Sequence, residues 1–285
     1  MSSVTGRSSN YRRRKITDNL MTGVAYACTL LALIPLAAIV FGVVRKGLPA
    51  WDLEFFTGLP STYGDGGGVS NAIIGSGIIV GIAVLIAVPV GVLAGVYLAE
   101  YGDNRLGEVL RFTADVMTGA PSVVIGIVGY AAFVVTTGND AGIYGSIALA
   151  ILMLPVITRS TEEIVRLVPG DLREASLALG VPRWKTTLRV VIPTAMSGIV
   201  TGVILATARA AGETAPLLFV VGTNSFTNLN PFEGSMAALP VVVYEQSAYT
   251  GDVLQTAWGG ALLLLVIVVL MNLTARLLFR GHSVR

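Results

Sequence analysis

Residues 70–99 read SNAIIGSGIIVGIAVLIAVPVGVLAGVYLA, thirty positions without one charged side chain. A charge at the centre of a bilayer costs about 2.5–3.5 kcal/mol on insertion scales, so such a run is what a membrane-crossing helix requires. About 20 residues at a rise of about 1.5 Å each suffice to cross the hydrocarbon. The stretch is apolar throughout rather than alternating over about ten residues, which excludes a barrel strand. Four-residue glycine spacings, Gly77…Gly81 and Gly91…Gly95, predict close packing against neighbouring helices.

Outward from this run the same criterion gives spans at about 19–44, 70–99, 116–139, 141–159, 190–221 and 253–275. The 285 residues are 54% hydrophobic and 13% charged, too apolar for a soluble domain, and no polar stretch is long enough to fold separately. The expectation is an all-α membrane protein of six transmembrane helices. A single domain, 19–281, lies between a basic tail, 1–18, and a short tail, 282–285. The run from Asn19 to Val44 exceeds a signal-peptide core and ends in no small-x-small cleavage site, so it reads as a first span.

Charge placement sets the orientation. With both termini inside, sixteen Lys and Arg residues are cytoplasmic and two, Arg45 and Lys46, are outside. That is the positive-inside pattern, with Arg45 and Lys46 snorkelling at the outer surface. Outside, a loop Leu48–Val69 carries Trp51, Phe55, Phe56 and Gly66-Gly67-Gly68, and the apolar piece Met236–Tyr244 is too short to span, which predicts an interfacial or re-entrant helix.

Several chemistries are excluded. Cys28 is the one cysteine, within an apolar run, and reads as a packed thiol with no disulfide or metal role. His282 is the one histidine, so no His-Glu-x-x-His zinc site exists, and no Gly-x-Ser-x-Gly elbow occurs. Gly42…Gly47 lacks the Lys-Ser/Thr of a phosphate loop, so no ATP site of that kind is present. Nothing suggests a nucleic-acid partner.

The inner segment 161–189 is the most informative. Ile164, Leu167 and Val168 fall at helical spacing; a second short helix opens near Asp171, presents Leu172, Ala175 and Leu179, and stops at Gly180; Pro182 starts another. The result is a compact knob, either a structured loop or a docking element. In the fifth span, Arg209 and Glu213 lie four residues apart near mid-membrane, on one helical face. Intramembrane charges face a cavity or a partner, and the planar arginine fork matches a tetrahedral oxyanion. The pair is therefore either a packing pair or an anion site. Arg159 either snorkels or contacts an anion. Gly119-Ala120-Pro121-Ser122 breaks a helix, which is either a packing kink or a source of free backbone N–H groups.

The knob resembles the signature of ABC-importer permeases: Glu174-Ala175-Ser176, three residues, Gly180, nine residues, then Val190-x-Ile192-Pro193. That resemblance implies the type I importer permease architecture, with a cytoplasmic coupling helix between spans 4 and 5. Glu174, Ala175 and Gly180, with Arg183 and Trp184, would contact an ATPase. The string Arg209-Ala-Ala-Gly-Glu213-Thr-Ala-Pro-Leu217 resembles the oxyanion branch of these importers and, within it, the phosphate permeases. Pro89-Val-Gly91, Tyr97–Tyr101, Gly119–Ser122 and Leu154–Glu163 agree with it.

The resemblance implies Arg209, Glu213, Arg159 and Ser122 along the substrate pathway, with sulfate or molybdate as the alternative cargo and an ATP-independent channel as a remoter one. It also implies a homologous second permease, two ATP-binding subunits that carry ATP and Mg, and an extracytoplasmic phosphate-binding protein. This chain would bind no cofactor and catalyse nothing, and would reside in the cell (inner) membrane. The topology is testable by replacing Ser9 and Ser283 with cysteine. Both should react only with reagents that reach the cytoplasm, and labelling of either from outside intact cells contradicts it.

Overall fold

A computed structural model describes residues 7–61 and 67–278. The tail 282–285 with His282, Arg280 of the charge count, and Gly66 of the loop expected outside lie outside the described residues. The chain divides into two units after Lys46. All but the last residue of α1 (Arg7–Gly47), a single helix of 41 residues, lies in the first, and Arg12, Arg13, Arg14 and Lys15 of the expected tail are helical in it. Thr17 and Thr29 return their hydroxyls to the carbonyls of Arg13 and Ala25, one turn back. Cys28 is exposed on this helix rather than packed.

The second unit contains α2 (Leu53–Thr57), α3 (Ser70–Glu100), α4 (Arg105–Gly119), α5 (Ser122–Gly129), α6 (Gly142–Arg166), α7 (Gly170–Ala178), α8 (Arg183–Thr186), α9 (Ile192–Ala211), α10 (Ala215–Leu218), α11 (Leu239–Gln246) and α12 (Asp252–Leu278). Among the described residues, five helices are long and apolar enough to cross a membrane, and six when α4 and α5 form one broken span. The chain is an all-helical, multi-pass membrane protein.

Its centre is the α3–α6 pair. The buried face of α3 repeats every four residues, at Gly75, Ile79, Ala83, Ala87, Gly91 and Gly95. The facing stripe of α6 repeats likewise, at Leu149, Met153, Ile157, Thr161 and Val165. Rows at this spacing interlock when the residues between them are small. A Cβ on Gly95 would lie 2.6 Å from the Thr158 carbonyl oxygen and 2.6 Å from Thr161 Cβ, and one on Gly91 2.9 Å from Ile157 Cβ. Gly77 and Gly81, off this stripe, have open space around them, so the expected contact at that pair is not made.

The charge-free windows misjudge four boundaries. The span expected at 116–139 is preceded by α4, which carries Arg105, Glu108, Arg111 and Asp115, and bends by 97° between α4 and the helical run Ser122–Thr137. Pro121 forces the break: it lacks an N–H and holds Ala120 extended, at φ −70°, ψ 130°. The span expected at 141–159 continues to Arg166, so Thr161–Arg166 extend a membrane helix rather than opening the coupling segment.

The span expected at 190–221 is helical from Arg183, widens into a π-helical turn at Thr187–Val191, and ends at Ala211. Pro193 offers no N–H to the Arg189 carbonyl, and the wide turn carries the helix past it. Gly212 terminates the helix, and Pro216 opens the next short one. Finally, of the piece expected as an interfacial or re-entrant helix, Met236–Val242 is buried in protein and the helix itself runs Leu239–Gln246. Ser76 Oγ accepts the Leu239 N–H at 2.7 Å, and the Ala237 carbonyl lies against Gly75. Irregular backbone at this depth is tolerated where protein surrounds it.

The loop before α3, expected on the outer side, is also anchored. Asp52 caps α2 by accepting the Phe55 N–H at 2.7 Å, Phe55 is buried, and the Trp51 indole donates to the Gly259 carbonyl at 3.1 Å. Since α3–α6 contact organises the unit, Gly95→Val should lower the thermal unfolding temperature in detergent, through a loss of about the 1–3 kcal/mol of stability typical of overpacking. Gly81→Ala, with nothing within 4 Å, should leave it unchanged. Equal effects would contradict the packing account.

Candidate functional site

At the end of α6 the chain folds into the knob. Helix α7 follows Pro169 and ends at Leu179 and Gly180, whose φ of +78° is the left-handed conformation that glycine adopts without penalty. The Gly180 N–H donates to the Leu177 carbonyl at 2.9 Å, and α8 starts after Pro182. Buried Ser176 and Thr186 join α7 to α8, with their hydroxyls 2.9 Å apart. The outer surface is apolar: Leu167 is 81% exposed, Leu179 84% and Trp184 56%, with Leu172 and Leu177 also exposed. Glu174 and Ala175 are exposed on α7. The Arg183 guanidinium turns back from Trp184, stacks 5.0 Å from the Tyr101 ring centroid and donates to the Glu100 carbonyl.

A second cluster joins α4 to α6. Buried Glu162 accepts from Arg111 Nε at 2.7 Å, Arg166 Nη2 at 2.8 Å and Arg159 Nη1 at 3.1 Å. Arg111 also donates to the carbonyls of Gly102 and Leu98. Three cations around one carboxylate compensate its desolvation, and removing one partner of such a buried pair typically costs about 3–5 kcal/mol. Arg159 neither snorkels freely nor presents an open fork. Its Nη2 donates to both oxygens of Asp115, at 2.5 and 2.6 Å, and its Nε to Oδ1 at 3.0 Å.

Arg209 lies in the last turn of α9, not at the middle of a longer helix, and Glu213 follows the Gly212 cap. The helix stops between them, yet Gly212 keeps a right-handed helical conformation and the four-residue spacing still brings Arg209 Nε 3.5 Å from Glu213 Oε1. The Arg209 side chain is 66% exposed and that of Glu213 20%, and this is the one ion pair that Arg209 makes among the described residues. Most of its five N–H donors have no partner among the described residues.

Ser122 opens α5 directly after Pro121, at the positive end of that helix, and is partly buried. One turn on, a Cβ at Gly126 would lie 2.8 Å from Pro216 Cα and 3.1 Å from the Ala215 carbonyl. Helix α5 is thus packed against α10, the short helix that follows the Arg209–Glu213 corner. Arg159 belongs to the separate α4–α6 cluster.

The sequence reading assigns no role to Asp115, Arg111, Arg173 or Glu100. The only signal for them is a charge within a few turns of a span end. Their partners are far along the chain, Arg111 with Glu162 and Arg173 with Glu100, so no local spacing reveals them.

Residues 87–283 match the family described as the binding-protein-dependent transport system inner membrane component. A Pasteurella multocida protein named phosphate transport system permease protein PstA is 41% identical over 278 residues, covering 97% of this chain and 99% of its own length. PstA 1 of Mycobacterium tuberculosis (strain H37Rv) is 40% identical over 276 residues, covering 93% and 88%. Among solved structures, the inward-facing MetNI methionine ABC transporter superposes with a TM-score of 0.58 at 20% identity, over 76% of this chain and 94% of that one. At that identity the likeness is one of fold, the type I ABC importer permease architecture. The chain belongs to the family of inner-membrane components of binding-protein-dependent transport systems.

Proposed function

We propose that this chain is the permease subunit of an ATP-driven importer, with inorganic phosphate as its cargo and Arg209 as the residue that meets it. One observation carries the site assignment. Arg111, Arg159 and Arg173 are saturated by carboxylates and carbonyls, whereas Arg209 holds one contact at 3.5 Å and an exposed fork. A planar guanidinium left open in this way binds a tetrahedral oxyanion through two parallel N–H groups. Glu213 orients the fork at rest and repels the anion until arginine and phosphate engage, which favours passage over tight retention. Ser122, at the head of α5, supplies a hydroxyl and a helix N-terminus to the same anion. The phosphate names of full-length relatives at about 40% identity support this cargo over sulfate or molybdate.

A homologous permease completes the pathway, and a phosphate-loaded binding protein docks outside. Two ATP-binding subunits, which hold ATP and Mg²⁺, contact the knob through Leu172, Glu174, Ala175, Leu179 and Trp184, with Gly180 setting its turn. ATP hydrolysis occurs on those subunits, so this chain positions and transmits but breaks no bond. Both termini are cytoplasmic, following the charge bias. Arg159, held by Asp115 and Glu162, offers a second anion contact nearer the inner exit once Asp115 is displaced.

The test is a comparison of Arg209 variants in the reconstituted complex. Arg209→Lys keeps the charge but loses the fork, and phosphate uptake should fall about tenfold or more. Arg209→Ala with Glu213→Ala removes both charges and should insert and assemble without regaining uptake. Wild-type phosphate transport by the double variant would make the pair structural and refute the assignment.

A further inference from the structure

The knob is joined to the membrane helices by more than its chain. Arg173 on α7 directs Nε and Nη2 to one oxygen of Glu100, at 2.9 and 2.8 Å, where Glu100 is the last residue of α3. The same guanidinium donates Nη1 to the Val168 carbonyl at 2.5 Å and Nη2 to the Val165 carbonyl at 2.9 Å, at the end of α6. One side chain thus fastens three ends together: α3, α6 and the knob. Glu100 is buried, and its backbone carbonyl accepts from Arg183 of α8. Charge-assisted hydrogen bonds in a buried setting are short and directional, so this junction resists both shear and separation. The covalent route from the knob into α9 runs instead through the π-helical turn Thr187–Val191, whose wider hydrogen-bond ring makes a less regular connection.

What lies beyond the junction gives it a use. Helix α3 is continuous for 31 residues, and α6 is locked to it at Gly91 and Gly95. At the opposite end of α3, Asn71 donates to the Asn224 carbonyl at 2.7 Å and Ser76 accepts the Leu239 N–H at 2.7 Å. On α6, a Cβ at Gly145 would meet Leu217 at 3.0 Å. Displacement applied at Glu100 therefore reaches 217–239, the segment that follows the Arg209–Glu213 corner.

We propose that Arg173 and Glu100 form a strut that transmits movement of the knob into the rigid α3–α6 pair, and through it to the anion corner. Both are positioning residues: neither touches cargo nor the ATPase. The inference rests on the reading of the knob as the ATPase contact.

The experiment uses the complete importer in liposomes and reads phosphate moved per ATP hydrolysed, alongside co-purification of the ATPase. Glu100→Gln removes the charge, and Arg173→Lys removes the fork and its carbonyl contacts. Both should assemble, and the ratio should fall at least about fivefold, the lower end of ordinary coupling energies. Cysteines at Glu100 and Arg173, in a Cys28→Ala background and joined by a short thiol cross-linker, should restore the ratio, because a strut works through fixed distance.

An unchanged ratio in assembled Glu100→Gln and Arg173→Lys complexes overturns the strut. Arrest of transport by the cross-link also overturns it, since the knob would then have to slide past α3. Loss of the ATPase from both variants overturns it too, by making the pair part of the docking surface's own fold. The docking reading fails separately: Gly180→Val strains a residue at φ +78°, and normal ATPase association by it and by Trp184→Ala would contradict that reading alone.

Discussion

Backbone-to-backbone approach of α3 and α6 is the contact on which the other parts depend. It exists because α3 offers glycine or alanine at most positions of a strict four-residue repeat, and α6 answers with Leu149, Met153, Ile157 and Thr161. In a membrane no hydrophobic drive separates helix from lipid, so association relies on close packing of this kind. With the pair fixed, α4 is held to α6 by the Glu162 cluster, α5 is set against α10 at Gly126, and the segment around Met236–Val242 is enclosed beside α3.

Charge is distributed by the same economy. Buried carboxylates are surrounded: Glu162 by three arginines, Glu100 by the Arg173 fork. These pairs consume the hydrogen-bonding capacity of their arginines and hold helix ends in register. Arg209 differs in kind. Its neighbours Ala206, Ala208 and Ala210 are buried while its own side chain is exposed beyond a loose partner. A cation left incompletely paired at a helix end is costly unless something else completes it, and in the proposed function a passing anion does so transiently.

Much of this was legible in the sequence, for identifiable reasons. Absence of charge marks helix interiors reliably because the insertion penalty is local. Gly180 and Pro182 mark the turn of the knob because their backbone preferences are local as well. Helix ends were less legible. Arg159, Glu162 and Arg166 look like the edge of a span until Arg111, remote in sequence, is brought to neutralise Glu162. Apolarity continues to Val221 although Gly212 and Pro216 stop the helix. The four-residue spacing of Arg209 and Glu213 marks their pairing, but not that the helix stops between them at Gly212. The Arg173–Glu100 contact had no sequence signal at all, because it depends on where two distant chain ends finish.

Mechanically, an apolar, exposed knob adjoins a stiff helix pair, with the arginine proposed to read the anion beyond it. The measurement that tests this account at its centre is uptake of labelled phosphate by the reconstituted importer, with sulfate and molybdate as competitors. The account predicts saturable, ATP-dependent phosphate accumulation that a large excess of either competitor leaves intact. Accumulation of sulfate or molybdate in preference to phosphate, or phosphate movement that proceeds without ATP, would contradict it.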